Sequence, residues 1–319
     1  MKRILATTAI LALSAGFASA EVTLSGDARM GIIGGDGADT AFTSRARVKF
    51  SMSGETDGGL EFGASFRADN AKDITTTTTT VTAGADLVLG TADDIVTVSS
   101  SSTGGANTGT AGEVHISGAF GKLSMGDVDG AAQSAVGQVS GVGLTGLGDL
   151  NEIAYLAAGS GATDPTALYE YSTGSFTGYI SVTNPGFGDT ANAIGAKYAT
   201  DTFSVAIGYE SLPGGVDNVV LGGSATFGAV TAKLVYATAD AGGPSLDQLA
   251  MSVDYTADAL TVTGFYATTD AGGPISLDRY GVGASYDLGG GASVVGGYSN
   301  ISLGGLDASA YDLGLSFSF

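Results

Sequence analysis

Five cations lie close together in the early part of this chain at alternating positions: Arg29, then Arg45, Arg47 and Lys49, then Arg67. Two residues apart in an extended chain, such groups point the same way, because strand side chains alternate between faces. A row of this kind can attract, orient or repel ions, but it supplies neither a nucleophile nor a proton relay. Like charges so close raise one another's energy and call for opposing anions. The candidates are Asp127, Asp129, Asp149 and Glu152, in and beside the Gly- and Ala-rich stretch 128–165, provided that stretch folds back toward the cations. The chemistry would then be electrostatic. Cations on one wall and carboxylates on the other make a transverse field that orients polar solutes and disfavours large apolar ones.

Covalent chemistry finds little to work with. The chain has no cysteine and a single histidine, so thiol nucleophiles, disulfides and thiolate metal sites are excluded. His115 shares a parity with Ser117, opposite Val114, Ile116 and Phe120, and reads as a wall or loop-base residue. One histidine cannot build a zinc site, and no HExxH, GxSxG or phosphate-loop pattern occurs. An exported hydrolase therefore lacks its nucleophile–histidine pair. Asp86, Asp93 and Asp94 would supply the oxygen ligands that calcium takes, though not at EF-hand spacing. No cofactor is required. The 12 basic against 32 acidic residues give a net charge of −20, which excludes a basic nucleic-acid footprint.

The elements that must position these charges begin after a removable segment. Lys2 and Arg3, the apolar run 4–17 and Ala18-Ser19-Ala20 read as a secretory signal peptide over residues 1–20, with 21–319 as one domain. Beyond Glu21 a two-residue rhythm recurs. Val22, Leu24, Ala28, Met30 and Ile32 oppose Thr23, Ser25, Asp27 and Arg29; Ala46, Val48, Phe50 and Met52 oppose Arg45, Arg47, Lys49 and Ser51. Leu60, Phe62, Ala64 and Phe66 oppose Glu61, Ser65, Arg67 and Asp69. The chain ends in the same way, with Tyr311, Leu313, Leu315, Phe317 and Phe319 on one face. Segments of ~9–11 residues are the length of a tilted membrane-crossing strand.

Further strands are expected near 113–120, 122–128, 166–173, 175–183, 191–199, 202–210, 218–227, 229–238, 246–257, 259–268, 276–287, 291–300 and 307–319, sixteen in all. Tight turns alternate with longer connections such as 184–190, 211–217, 239–245, 269–275 and 301–306, as in an outer-membrane barrel. The segments Ala239–Pro244 and Thr269–Pro274 echo one another, with Asp240 and Asp270 as repeated loop chemistry. The Thr-rich insertion 73–112 reads as a solvated external loop.

Nine basic residues, Lys122, Lys197, Lys233 and Arg279 among them, fall on the polar parity. On a lipid face each would cost ~2–4 kcal/mol, so this face meets water. Sixteen strands enclose a channel, whereas eight would be plugged by side chains. Tyrosines, Tyr155, Tyr169, Tyr209, Tyr236 and Tyr266 among them, lie toward expected strand ends, where interfacial girdles sit.

The chain resembles the trimeric general-diffusion porins of Gram-negative outer membranes, Rhodobacter-type porins above all. The resemblance rests on Leu24-Ser-Gly-Asp-Ala-Arg-Met-Gly31, Ser44-Arg-Ala-Arg-Val48, Gly59-Leu-Glu-Phe-Gly-Ala-Ser-Phe66, Ser117-Gly-Ala-Phe-Gly-Lys122, Met125-Gly-Asp127 and Tyr286-Asp-Leu-Gly-Gly-Gly-Ala-Ser293. It implies an all-β, sixteen-stranded transmembrane antiparallel barrel and a homotrimer, set among membrane lipid and lipopolysaccharide. It also implies an eyelet between a long third external loop, folded into the lumen, and the wall of Arg29, Arg45, Arg47, Lys49 and Arg67. Phe319 resembles the terminal signature read by the barrel-assembly machinery, and calcium binds some members at the eyelet or loops. The expectation is a passive channel for ions and small hydrophilic solutes. A nutrient-specific barrel would need an aromatic track on the lumen face, where Tyr179 and Phe265 are the main candidates. An exported β-rich adhesin would not need the apolar face of 311–319.

Overall fold

The computed structural model describes residues 20–69, 74–82, 95–103, 112–157, 166–184, 190–273 and 276–319. The expected signal segment and Asp86, Asp93 and Asp94 thus lie outside the described residues, apart from Ala20. The first strands are β1 Glu21–Gly35, β2 Ala38–Glu55 and β3 Glu61–Asp69. A separate hairpin follows, β4 Ile74–Thr82 and β5 Ile95–Thr103. Next come β6 Glu113–Gly118, β7 Gly121–Gly126, the short helix α1 Ala131–Val136, β8 Thr166–Thr173, β9 Phe176–Thr183 and β10 Asn192–Ala199. The chain continues as β11 Phe203–Leu212, β12 Val216–Phe227, β13 Val230–Asp240 and β14 Leu246–Ala257. It ends with β15 Leu260–Asp270, β16 Ser276–Gly289, β17 Ala292–Leu303 and β18 Leu306–Ser318.

All but β4 and β5 pair with their sequence neighbours into one closed antiparallel barrel of 16 strands. Closure joins β1 to β18, with Ala28 opposite Phe317 and Arg29 opposite Ser316. The terminal residue completes the seam, since Phe319 N donates to Gly26 O at 2.9 Å. A closed ring leaves no strand edge, so every spanning backbone group is satisfied within the sheet.

The burial pattern is inverted relative to a water-soluble domain. Val205, Ile207, Leu234, Val253, Val282 and Leu313 point outward and are exposed, whereas Ser181, Glu210, Asn218, Gln248, Ser252 and Asp312 point inward and are buried. An apolar exterior around a polar interior is the arrangement of a barrel that lipid surrounds.

The connections at the rim holding the chain end are short. Those at the other rim vary more than their composition implies. The stretches expected as loops at 211–217 and 301–306 are largely strand, and the β1–β2 and β17–β18 connections shrink to Asp36-Gly37 and Gly304-Gly305. Gly37, Gly304 and Gly305 adopt φ of 73°, 59° and 88°, which lets a tight turn close where a side chain would strain it. The difference between rims is carried by 70–112, 127–165 and 184–191. Asp240 and Asp270 do repeat one device, each accepting from the amide two residues on, Gly242 N and Gly272 N, at 2.7 Å.

The insertion expected as a solvated loop contains the β4–β5 sheet, where Thr75 faces Ser102 and Thr78 faces Ser99. Its β-branched threonine run favours an extended backbone, which explains the difference. β7 ends at Gly126 rather than near 128, so Asp127 opens the long connection.

Candidate functional site

The connection after β7 does not lie over the rim. Ala131 N donates to Ser181 Oγ on β9 at 2.8 Å, and Ser140 N to Ser252 Oγ on β14 at 3.0 Å. Leu144 N and Thr145 N then reach Asp312 on β18 at 2.9 and 2.6 Å. Arg29 Nη1 on β1 donates to Leu144 O at 3.2 Å. On the way back, Arg279 Nη1 on β16 donates to Glu152 O at 3.0 Å, and Ala154 N to Gln248 Oε1 on β14 at 3.0 Å. A segment that touches the inward faces of β9, β14, β18 and β1, and then of β16 and β14 on its return, can only lie inside the ring.

Two buried wall carboxylates carry the ends of this clamp. Glu210, at 0% exposure, accepts from Leu156 N at 2.9 Å, Ala157 N at 3.1 Å and Asn218 Nδ2 at 2.8 Å. Asp312, at 3%, accepts the two amides of the tip and Thr145 Oγ1 at 2.7 Å. Buried anions need such partners, and hydrogen bonds to a charged group contribute about 1.5–3 kcal/mol each. The loop's two arms are tied together by Gln138, which bonds Ile153 through both amide atoms at 2.8 and 3.0 Å. Asn151 Nδ2 adds a bond to Val139 O at 2.7 Å. Val139 and Ile153 pack against Val220, Val235 and Ala250 of the wall.

Tyr155 is here too. Expected at a girdle, it belongs to the loop, with its hydroxyl donating to Gly137 O at 2.6 Å. Burial, with Glu210 and other acids nearby, pushes its phenol pKa up. Tyr155 departs from the girdle because it lies within the 128–165 connection, far from the end of any strand. The two lumen aromatics are covered as well, Tyr179 by the cluster around Ala131 and Ala157, Phe265 by Val142 and Leu147. They form no exposed track.

The loop lies along the wall from β9 to β1, and the inward face of β1–β3 carries the cations. Arg29 stands opposite Arg45 across β1 and β2, and Lys49 opposite Arg67 across β2 and β3. Two carboxylates on the same wall partner them. Arg45 Nη2 lies 2.7 Å from Asp27, and Arg47 Nε and Arg67 Nε each lie 2.9 Å from Asp69. Lys49 has no ion-pair partner among the described residues. In the sequence only their shared parity with Arg29 and Arg67 marks Asp27 and Asp69 as residues of this face.

The loop acids form a second group. Asp127, Asp129, Asp149 and Glu152 are all exposed. Although Asp129 reaches water, the protein around it desolvates its carboxyl, and with Asp127 nearby this pushes it up. Glu152 is pushed up by partial burial, then by Asp149 and Asp129. The acids therefore feel one another. Lower on the wall, Glu113 lies 3.3 Å from Lys122 and 3.6 Å from His115. No cluster of three metal-ligating side chains occurs among the described residues.

A protein-family model described as Gram-negative porin matches residues 6–306. The chain is 36% identical over 335 aligned residues to the porin of Rhodobacter capsulatus, covering 94% of this chain and 100% of the relative. A porin structure refined at 1.8 Å superposes with a TM-score of 0.73 at 35% identity, again over 94% of this chain and 100% of the other. A triple mutant of Rhodopseudomonas blastica porin gives 0.65 at 22% identity over 93% and 100%, a likeness of fold alone.

Proposed function

The chain belongs to the Gram-negative porin family, and from that premise we propose how its passage selects among solutes. As a general-diffusion porin it is a passive, water-filled channel across the outer membrane. Ions and small hydrophilic solutes cross down their gradients, with no bond made or broken. Selection takes place where the inner loop approaches the wall of β1–β3. Arg29, Arg45, Arg47, Lys49 and Arg67 form one side, and Asp127, Asp129, Asp149 and Glu152 the other. Asp27 and Asp69 neutralise part of the cationic side, so Lys49 and the arginine edges that they leave uncovered set its field. Polar solutes align in such a field, whereas large apolar ones gain nothing from it and lose hydration.

The observation that carries this reading is the loop held inside the lumen by Glu210 and Asp312, which narrows an otherwise open ring. The test is conductance of the detergent-extracted protein in a planar bilayer, with the reversal potential in a salt gradient. Steps linear in salt concentration are expected. Rectified or saturating currents would point to a specific binding site instead.

The working unit is a homotrimer. Tyrosines belong where a barrel wall meets lipid headgroups, yet β1, β2, β3, β6 and β7 contain none. That arc shows Leu24, Met30, Val48, Met52 and Phe62 instead, with Phe50 stacked on Phe66 at 4.8 Å. An apolar wall without girdle residues suits contact with another copy, while the remaining arc faces lipid and lipopolysaccharide. Export by residues 1–20 and reading of Phe319 by the barrel-assembly machinery complete the proposal. Calcium is an optional ligand of the external acids.

A further inference from the structure

The inward face of the barrel is interrupted by glycines along the path of the loop. A Cβ at Gly195 would lie 2.4 Å from Ala131 O, at Gly208 2.7 Å from Ala132 Cα, and at Gly222 2.4 Å from Val136 Cγ1. Farther along, a Cβ at Gly297 would meet Gly143 Cα at 2.7 Å; at Gly283 it would meet Val142 Cβ and the neighbouring strand's Gly296 O, both at 2.9 Å, and at Gly31 Leu144 Cδ2 at 2.8 Å besides the neighbouring Leu313 O at 2.3 Å. Real carbon–carbon contacts settle at about 3.5–4.0 Å. The row runs through β10, β11, β12, β16, β17 and β1, and each position meets the next part of the loop in order, from Ala131 to Leu144. The outward glycines Gly178 and Gly264 differ. A Cβ at Gly178 would meet nothing within 4 Å, and one at Gly264 only a carbonyl at 3.9 Å.

Glycine inside a strand weakens it, through lost side-chain contacts and greater freedom in the unfolded chain. A row of six beneath one loop therefore has a local cause. We propose that these wall glycines are the size-determining positions of the channel. They recess the loop into the wall, so the depth of the seat, rather than the charges, fixes the limiting aperture. The inference rests on the reading that solutes pass between the loop and the β1–β3 wall. A Cβ at Gly208 or Gly222, on the strands β11 and β12 that face β1–β3 across the ring, moves the loop by about 1 Å toward that wall, given the contact distances above. Glu210 and Asp312 prevent it from leaving the lumen altogether. Val136 supplies the strongest check, because its Cγ1 makes the clash with Gly222 while its Cβ would stand at 3.6 Å.

Gly222→Ala is compared with Gly222→Ala/Val136→Ala and with the outward control Gly264→Ala, by single-channel conductance and by liposome swelling in neutral sugars of graded size. Gly222→Ala should reduce conductance by on the order of tens of per cent and swelling most for the largest sugars, as narrowing of a sieve does. The double variant should recover both, and the control should match the parent. Folding of each is followed by heat-modifiable mobility on unheated gels. If Gly222→Ala fails to fold, Gly208→Ala, whose Cβ meets the backbone of Ala132, takes its place as the narrowing variant. A folded variant with parental sieving, or a double variant that stays narrow, overturns the inference. Absence of any channel in the parent would instead overturn the functional reading beneath it.

Discussion

At the residue scale the passage is governed by which charges keep their partners. Arg45, Arg47 and Arg67 are matched by Asp27 and Asp69, so the wall is less cationic than its arginines alone suggest. Lys49 is a cation whose removal leaves no wall carboxylate uncompensated and, unlike Arg29, breaks no bond to the loop. Lys49→Ala should shift the reversal potential toward cations without changing folding, and Asp149→Asn should shift it toward anions. A unit charge at ~8 Å contributes about 0.5–2 kcal/mol over effective dielectric constants of 80 to 20, so each shift should shrink as salt rises. Asp129 and Glu152 add a pH dependence. Both carboxyls are raised, so on acidification they take up protons before ordinary carboxylates do. The loop side loses negative charge first, and selectivity should drift toward anions beginning above the usual carboxylate range. Reversal potentials measured against pH would show this drift, and the Asp129→Asn/Glu152→Gln double variant should lack its early part.

At the element scale the sequence and the structure agree on strands and part over the loop. Strands could be read because a face that meets lipid and a face that meets water force alternate residues apart, as in Arg45–Met52. The inner loop has no period to read. Its helix α1 is six residues of Ala131–Val136, too short to leave a mark and formed against β9–β12 rather than by its own propensity. Its anchors come from distant strands: Glu210 and Asp312 look like ordinary lumen acids until the loop's amides are placed on them. Glu210→Gln would turn one acceptor into a donor facing Leu156 N or Ala157 N, at a cost of about 1–3 kcal/mol. Faster hydrogen exchange across 150–157 and noisier single-channel currents are expected, with the barrel's heat stability nearly unchanged. Unaltered exchange at those amides would show that the apolar packing of Val139 and Ile153 suffices to hold the loop.

At the scale of the whole molecule the barrel tests its own surface. Ile207→Arg on the tyrosine-bearing side would put a charge toward acyl chains, at ~2–4 kcal/mol near the bilayer midplane. It should lower the yield of folded barrel. Met30→Arg on the tyrosine-free arc should instead leave folded monomers and abolish the slow-migrating trimer on unheated gels. Equal effects of the two would remove the distinction between the arcs. The sequence by itself determined the class of fold, the inward direction of the nine strand-borne cations and the membrane as solvent. Each of these follows from period-two alternation, a property of neighbouring residues. Only the tertiary structure decided that Asp27 and Asp69 partner the arginines, that Tyr155 is buried in the loop, and that glycines from β10 to β1 lie beneath it. Those facts depend on which residues meet across the lumen after closure, and a linear pattern carries no record of contacts formed between segments so far apart in the chain.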